Sequence, residues 1–252
     1  MARIPVALQL YTVRDECAQD FVGTLKYVAE MGYAGVELTG PGNLTSTELS
    51  TVLTDLDLRV AGCHVSLANL ENDLNAAFDL NEAVGNKRIV CPWLPPELRN
   101  SEEDFRRLAD TLSAVGLACR DKGFQLYYHH HDFEFQNFGG KLALDILFDS
   151  VPNDLLRAEL DTYWIEVGGE SASDFIHKYR DRVDLVHIKD RVEDRDPPFG
   201  EIGEGTLNFV EIFQECEDAG VAWYIVEQDR CPGPPLESAR RSLRNLKMWG
   251  KV

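Results

Sequence analysis

Carboxylates, imidazoles and one lysine recur at two-residue spacing along this chain, as Glu159-x-Asp161, His187-x-Lys189 and Glu227-x-Asp229. A denser run, His129-His130-His131-Asp132-Phe133-Glu134, precedes these pairs, while Glu37 and His64 stand singly at the ends of apolar stretches. Only His177, of the six histidines, falls in a helical pattern instead. Residues two apart on a strand share a face, so each pair projects in one direction. By the same geometry three adjacent histidines cannot all ligate one ion. Either Tyr127, His129 and His131 or Tyr128 and His130 would share the inward face. Carboxylates and imidazoles converging away from water repel or are desolvated unless a cation neutralises them. Two or three carboxylates with one imidazole suit Mn²⁺, Mg²⁺, Co²⁺ or Zn²⁺, and no thiolate stands among them.

Such a constellation needs strands that all end at one face. Strand-like runs occur at 6–10, 35–38, 59–65, 88–91, 125–131, 157–161, 185–189 and 223–227, with longer helical patterns between them. Eight runs alternating with helices predict β-α units with parallel strands. The spacing Phe21-Val22-x-x-Leu25-x-x-Val28-Ala29 predicts a helix ending near Gly32. Ser101 followed by Glu102, Glu103 and Asp104 caps a second helix that runs toward Gly123. A third, 237–249, closes the chain after Pro232-Gly233-Pro234-Pro235. A doubly wound open sheet would carry a glycine-rich turn after its first strand. The residues there are Gln9-Leu10-Tyr11-Thr12-Val13-Arg14, and neither a G-x-G-x-x-G nor a P-loop motif occurs. The fold class expected is therefore α/β, a (β/α)₈ TIM barrel, with 1–252 as a single domain. The titratable residues then sit at the C-terminal mouth, where such barrels do their chemistry. The irregular stretch 191–208 follows the seventh strand and is expected to close over a ligand, with Gly200, Gly203 and Gly205 as hinges.

Composition narrows the partners. The net charge of −18, from 43 acidic and 25 basic residues, disfavours nucleic acid and membrane surfaces. No apolar stretch reaches the length of a membrane span, and the first residues lack a signal-peptide layout. Six scattered cysteines without a C-x-x-C pair suit a reducing, cytoplasmic setting, with Cys63 and Cys91 as core residues.

These segments together resemble the xylose isomerase-like sugar isomerase/epimerase superfamily, in the branch of sugar phosphate isomerases/epimerases. The resemblance runs from Gln9–Arg14 and Gly35-Val36-Glu37-Leu38 through His129–Phe135 and Leu160-Asp161-Thr162-Tyr163-Trp164. It continues in Val186-His187-Ile188-Lys189-Asp190, Gly203-Glu204-Gly205 and Val226-Glu227-Gln228-Asp229. It implies one divalent ion held by a Glu, Asp, His, Glu set from strands five to eight. Asp161, His187 and Glu227 match that set. The strand-five glutamate does not: His129 stands near its place and Glu134 five residues on. Glu134 is the expected fourth ligand, with His129 as its competitor.

The resemblance implies proton abstraction beside a carbonyl in a sugar or keto-sugar, by way of an enediolate. Glu227 would be one base and Glu134 or His129 the other, with Lys189 serving a developing oxyanion or donating a proton. Glu37, His64, His131, Trp164 and Arg191 are expected to bind substrate, and Tyr11 and Trp93 to offer flat walls. A dehydratase or keto-glycoside lyase using the same ion is the alternative. A barrel that only binds sugar is another. The few cations at the mouth (Arg14, Lys189, Arg191) and the missing phosphate cradle favour an unphosphorylated substrate. Position 164 is Trp where endonuclease IV would need a ligand histidine, which argues against that relative. A homo-oligomer is allowed.

Overall fold

A computed structural model of the chain describes residues 3–193 and 195–252. Eight parallel strands close into a barrel: β1 (Val6–Gln9), β2 (Gly35–Leu38), β3 (Arg59–His64), β4 (Arg88–Cys91), β5 (Gln125–His129), β6 (Leu156–Asp161), β7 (Val183–Ile188) and β8 (Trp223–Val226). Neighbours in sequence are neighbours in the barrel. The ring shuts where β1 pairs with β8, Val6 opposite Tyr224 and Leu8 opposite Val226. The expected strands differ from these by a residue or two at their ends, with β5 stopping at His129 before the chain turns.

Helices lie outside the strands. The longer ones are α1 (Phe21–Met31), α2 (Ser46–Asp55), α3 (Leu74–Ala83), α4 (Glu102–Asp121), α5 (Ala143–Ser150), α6 (Ala172–Lys178), α7 (Phe209–Ala219) and α8 (Pro235–Met248). Local chemistry sets their limits. Asp20 caps α1 by accepting the Gly23 N–H, and Gly32 ends it at φ +97°, a conformation that only glycine adopts without strain. Ser101 Oγ accepts the Asp104 N–H at 3.2 Å at the start of α4. Three acidic residues in that first turn oppose the helix dipole.

Two apolar layers hold the barrel. The larger lies between strands and helices. The smaller plugs the bore with Ala7, Ala61, Val90, Tyr127, Leu185, Trp223 and Ile225. Tyr127 in that plug settles which way β5 faces: Tyr127 and His129 point inward, and Tyr128 points out against Phe148. At the floor, Tyr127 donates to Asp184 at 2.8 Å, and Arg157 pairs with the same carboxylate at 2.6 Å. Cys63, Cys91, Cys119 and Cys216 are buried, and all six cysteines are free thiols. No helix among the described residues is long and apolar enough to cross a membrane.

Candidate functional site

The site begins where the bore turns from apolar to polar. Gln9, Glu37, His129, Glu159, Asp161, His187 and Lys189 are all buried at the C-terminal ends of their strands, with Glu227 just past β8. Two of these carboxylates follow breaks in strand register. β2 shifts against β3 between Val36 and Glu37, and β6 shifts against β7 between Ala158 and Glu159. In each case the extra residue, Ala61 or Asp184, lies on the partner strand.

Asp161 is held from behind. Its Oδ1 accepts the N–H groups of Tyr163 and Trp164 at 2.9 and 3.0 Å, which leaves Oδ2 for Lys189 at 3.2 Å. The Lys189 ammonium also meets Glu227 Oε2 at 2.9 Å and pairs with Asp229. Thr162 fixes the backbone beneath it, with its Oγ1 3.0 Å from the Lys189 N–H. His187 lies between two groups of acids. Its Nδ1 is 3.0 Å from Glu227 Oε2, and its Nε2 is 2.7 Å from Glu37 Oε2 and 3.4 Å from Glu159 Oε2. His64 Nε2 approaches the same two inner carboxylates at 3.1 and 3.0 Å. Gln9 donates to Glu37 at 2.7 Å.

Charge states follow from these contacts. Burial alone would raise Glu227, but Lys189 and His187 hold it well below the usual carboxylate range. Burial would lower Lys189, and Asp161, Asp229 and Glu227 keep it charged instead. Burial pushes Asp161 up to about 6 against the pull of Lys189. His129 is held far below its ordinary value by burial and by the cationic groups around it, so it is neutral. Neutral imidazole is the form that binds a metal or takes a proton.

Donor atoms of His129, Asp161, His187 and Glu227 all lie within 4.8 Å of one another, as do those of His64, His129, Glu159 and His187. A cavity of about 430 Å³ opens above them, lined by Tyr11, Thr39, His64, Ser66, Pro92, Trp93, His129, His131, Glu227 and Asp229. Tyr11 and Trp93 are its exposed aromatic walls.

Several expected positions come out differently. Glu134 does not join the converging donors. The turn Phe133–Phe135 carries its carboxylate back to the Tyr128 hydroxyl at 2.6 Å and the His131 N–H at 2.8 Å. Burial there raises it to about 7. The structure thus places His129, and not Glu134, beside Asp161, His187 and Glu227. Lys189 is fully buried with three carboxylates around its ammonium, which leaves no N–H directed into the cavity. Glu37 lies below the cavity wall, bonded to Gln9 and two histidines. Trp164 packs on His131 with ring centroids 5.3 Å apart and does not line the cavity. Arg191 is also absent from the lining, its backbone held in a two-stranded ribbon with Phe199.

One carboxylate gathers the loop's amides. Asp190 accepts from the Gly203, Gly205 and Leu207 N–H groups at 2.8, 2.9 and 3.3 Å, and from Arg191 N–H at 2.8 Å. A Cβ on Gly205 would overlap Arg191 O, and one on Gly203 would overlap Trp249. Close packing demands glycine at both positions, and Gly203 also sits at φ +84°, in the left-handed region. Sequence reasoning gave Gln9, Glu159 and Asp190 no role. The Glu159-x-Asp161 alternation was the available signal for the second. His130 is the outward histidine, and its neighbours set its tautomer: Nε2 accepts the Asp161 N–H at 3.1 Å, so Nδ1 carries the proton toward His131 O.

Residues 25–249 match the family described as xylose isomerase-like TIM barrel. An inosose dehydratase from Clostridium perfringens is 29% identical over an alignment that covers 87% of this chain and 88% of that protein. A sugar phosphate isomerase/epimerase from Parabacteroides distasonis superposes with a TM-score of 0.86 at 24% identity, covering 100% of this chain and 96% of that one. A D-allulose 3-epimerase from Methylomonas sp., in complex with D-allulose, gives a TM-score of 0.74 at 17% identity, with 98% of each chain covered.

Proposed function

Because the chain belongs to the xylose isomerase-like TIM barrel family, we propose that it is an enzyme that removes the proton beside a carbonyl in a sugar or keto-sugar. The observation that carries this is the meeting of an ionised Glu227 and a neutral His129 on one cavity wall, next to Asp161 and His187.

A divalent cation fits His129, Asp161, His187 and Glu227. Asp161 Oδ2 and Glu227 Oε2 already turn toward one positive centre, the Lys189 ammonium, and two imidazoles complete a mixed N/O set suited to Mn²⁺, Co²⁺ or Zn²⁺. When bound, such an ion supplies Lewis-acid polarisation of a carbonyl oxygen. The remaining work falls to side chains. Glu227 takes the carbon-bound proton, and its low affinity for protons in the resting site keeps it ready as the base. Glu227, now protonated, returns that proton to the neighbouring carbon, and neutral His129 carries the hydroxyl proton from one oxygen to the other, which relocates the carbonyl. Lys189 keeps Glu227 and Asp161 ionised. Gln9, Glu37 and His64 hold His187 from below, while His131, Tyr11 and Trp93 shape the cavity around the ring.

A second outcome is elimination: after Glu227 has removed the proton, a hydroxide leaves with a proton as water. The inosose dehydratases matched along most of the chain favour this reading. Incubating metal-loaded protein with keto-sugars and inososes in D₂O separates the two. Deuterium uptake with a rearranged sugar supports the first, and loss of water supports the second. Absence of exchange with every substrate, together with no retained metal, sinks both.

A further inference from the structure

Beneath the donors just assigned lies a second set, drawn partly from β2 and β3, that shares His187 with them. We propose that Glu37, His64, Glu159 and His187 form a separate divalent-cation position inside the barrel. It lies on the Nε2 side of His187, opposite the Nδ1 side that faces Glu227.

The geometry is that of a closed ring of donors. His64 Nε2 lies 3.1 Å from Glu37 Oε2 and 3.0 Å from Glu159 Oε2. His187 Nε2 lies 2.7 Å and 3.4 Å from the same two oxygens. An ion bound at roughly 2.0–2.2 Å separates its ligand atoms by about 3–3.5 Å; donor atoms of His64, Glu159 and His187 lie within 4.8 Å of one another, and Glu37 Oε2 adjoins both imidazoles. The two imidazoles and Gln9 supply the Oε2 oxygens, but the other carboxylate oxygens, Glu37 Oε1 and Glu159 Oε1, are buried without a hydrogen-bond partner. Buried acceptors are rarely left so. His129 Nδ1, also without one, stands 3.3 Å from Glu159 Oε2 as a further donor.

The backbone is arranged for these groups as well. Both register shifts of the barrel precede a carboxylate of this set, and a Cβ on Gly62 would overlap Glu37 Oε1. Two imidazole nitrogens and two carboxylate oxygens select Zn²⁺, Mn²⁺ or Co²⁺ over Mg²⁺ or Ca²⁺, which prefer all-oxygen sites. With both positions filled, His187 would bridge two ions as an imidazolate, releasing its remaining ring proton.

The test uses the full chain, stripped with chelator, reloaded with Zn²⁺ alone and desalted, with zinc per chain read by elemental analysis. No substrate is needed, so the result does not depend on the proposed reaction. Wild type is expected to hold two equivalents, and H64Q, E159Q and D161N one each. Circular dichroism checks that each variant is folded, and E159Q, nearly isosteric, guards against a failure of H64Q to fold. Anomalous scattering at the zinc edge should show a peak on each side of the His187 ring. One equivalent abolished by E159Q and kept by D161N upholds the inner position and removes the outer one. One equivalent kept by both H64Q and E159Q overturns the proposal. So does one lost equally in all three variants, or no retained zinc.

Discussion

At the scale of single residues, the site is an arrangement of charges that only burial makes consequential. Glu227 is held ionised by Lys189 and His187, so Glu227→Gln removes the proposed base while keeping shape and volume. Turnover is expected to fall by about 10²–10⁴-fold with the circular dichroism spectrum unchanged, and an active variant would contradict the assignment. Glu134 offers a test of a different kind. Its carboxyl rises from an ordinary 4.5 to about 7 on burial, so the folded chain keeps a proton that the unfolded chain has released. The stabilisation is complete below the unfolded value and is lost as pH rises through about 7. The full effect is about 3 kcal/mol at most. Wild type should therefore lose stability relative to Glu134→Gln between pH 5 and pH 8 in urea titrations; a constant difference would refute this. Asp161, His187 and Glu227 were legible as a group because the two-residue spacing and strand ends marked them. Glu134 was misplaced because its partner is a tyrosine on the outward face of β5, and the parity of that strand is invisible where Tyr127, Tyr128 and three histidines follow one another.

At the scale of elements, the eight strands were readable to within two residues at their ends, and three of the helices were placed between them. Strand cores are apolar on both faces, and capping residues such as Asp20, Ser101 and Gly32 mark helix ends in the sequence itself. The bulges before Glu37 and Glu159 were not readable, because a register shift depends on the neighbouring strand and leaves no local pattern. Nor was the loop 191–208, whose glycines suggested motion until Asp190 was seen to gather its amides. Those amides lose a charged acceptor in Asp190→Ala, each such bond contributing about 1.5–3 kcal/mol. Hydrogen exchange at Gly203, Gly205 and Leu207 is expected to quicken by roughly ten- to a hundredfold, with β1–β4 unaffected. Unchanged protection at these three amides would show that the loop is held by other means.

At the scale of the whole molecule, the ring of strands leaves no natural point of division. We expect 1–252 to unfold by heat in one transition, with an enthalpy on the order of 180 kcal/mol near 60 °C and equal calorimetric and van't Hoff values. Two resolved transitions would show that part of the barrel melts by itself. The net charge of −18 belongs to this scale too, since it shapes the long-range field more than the fold. The pairing of Val6 with Tyr224 has a further consequence, for the order of events during synthesis. β1 must wait for β8 before either has its full complement of neighbours. The donors from Gln9 to Glu227 therefore come together only once β8 has been made and has closed the ring. A chain halted before β8 would lack Glu227 and leave β1 and β7 without a shared neighbour.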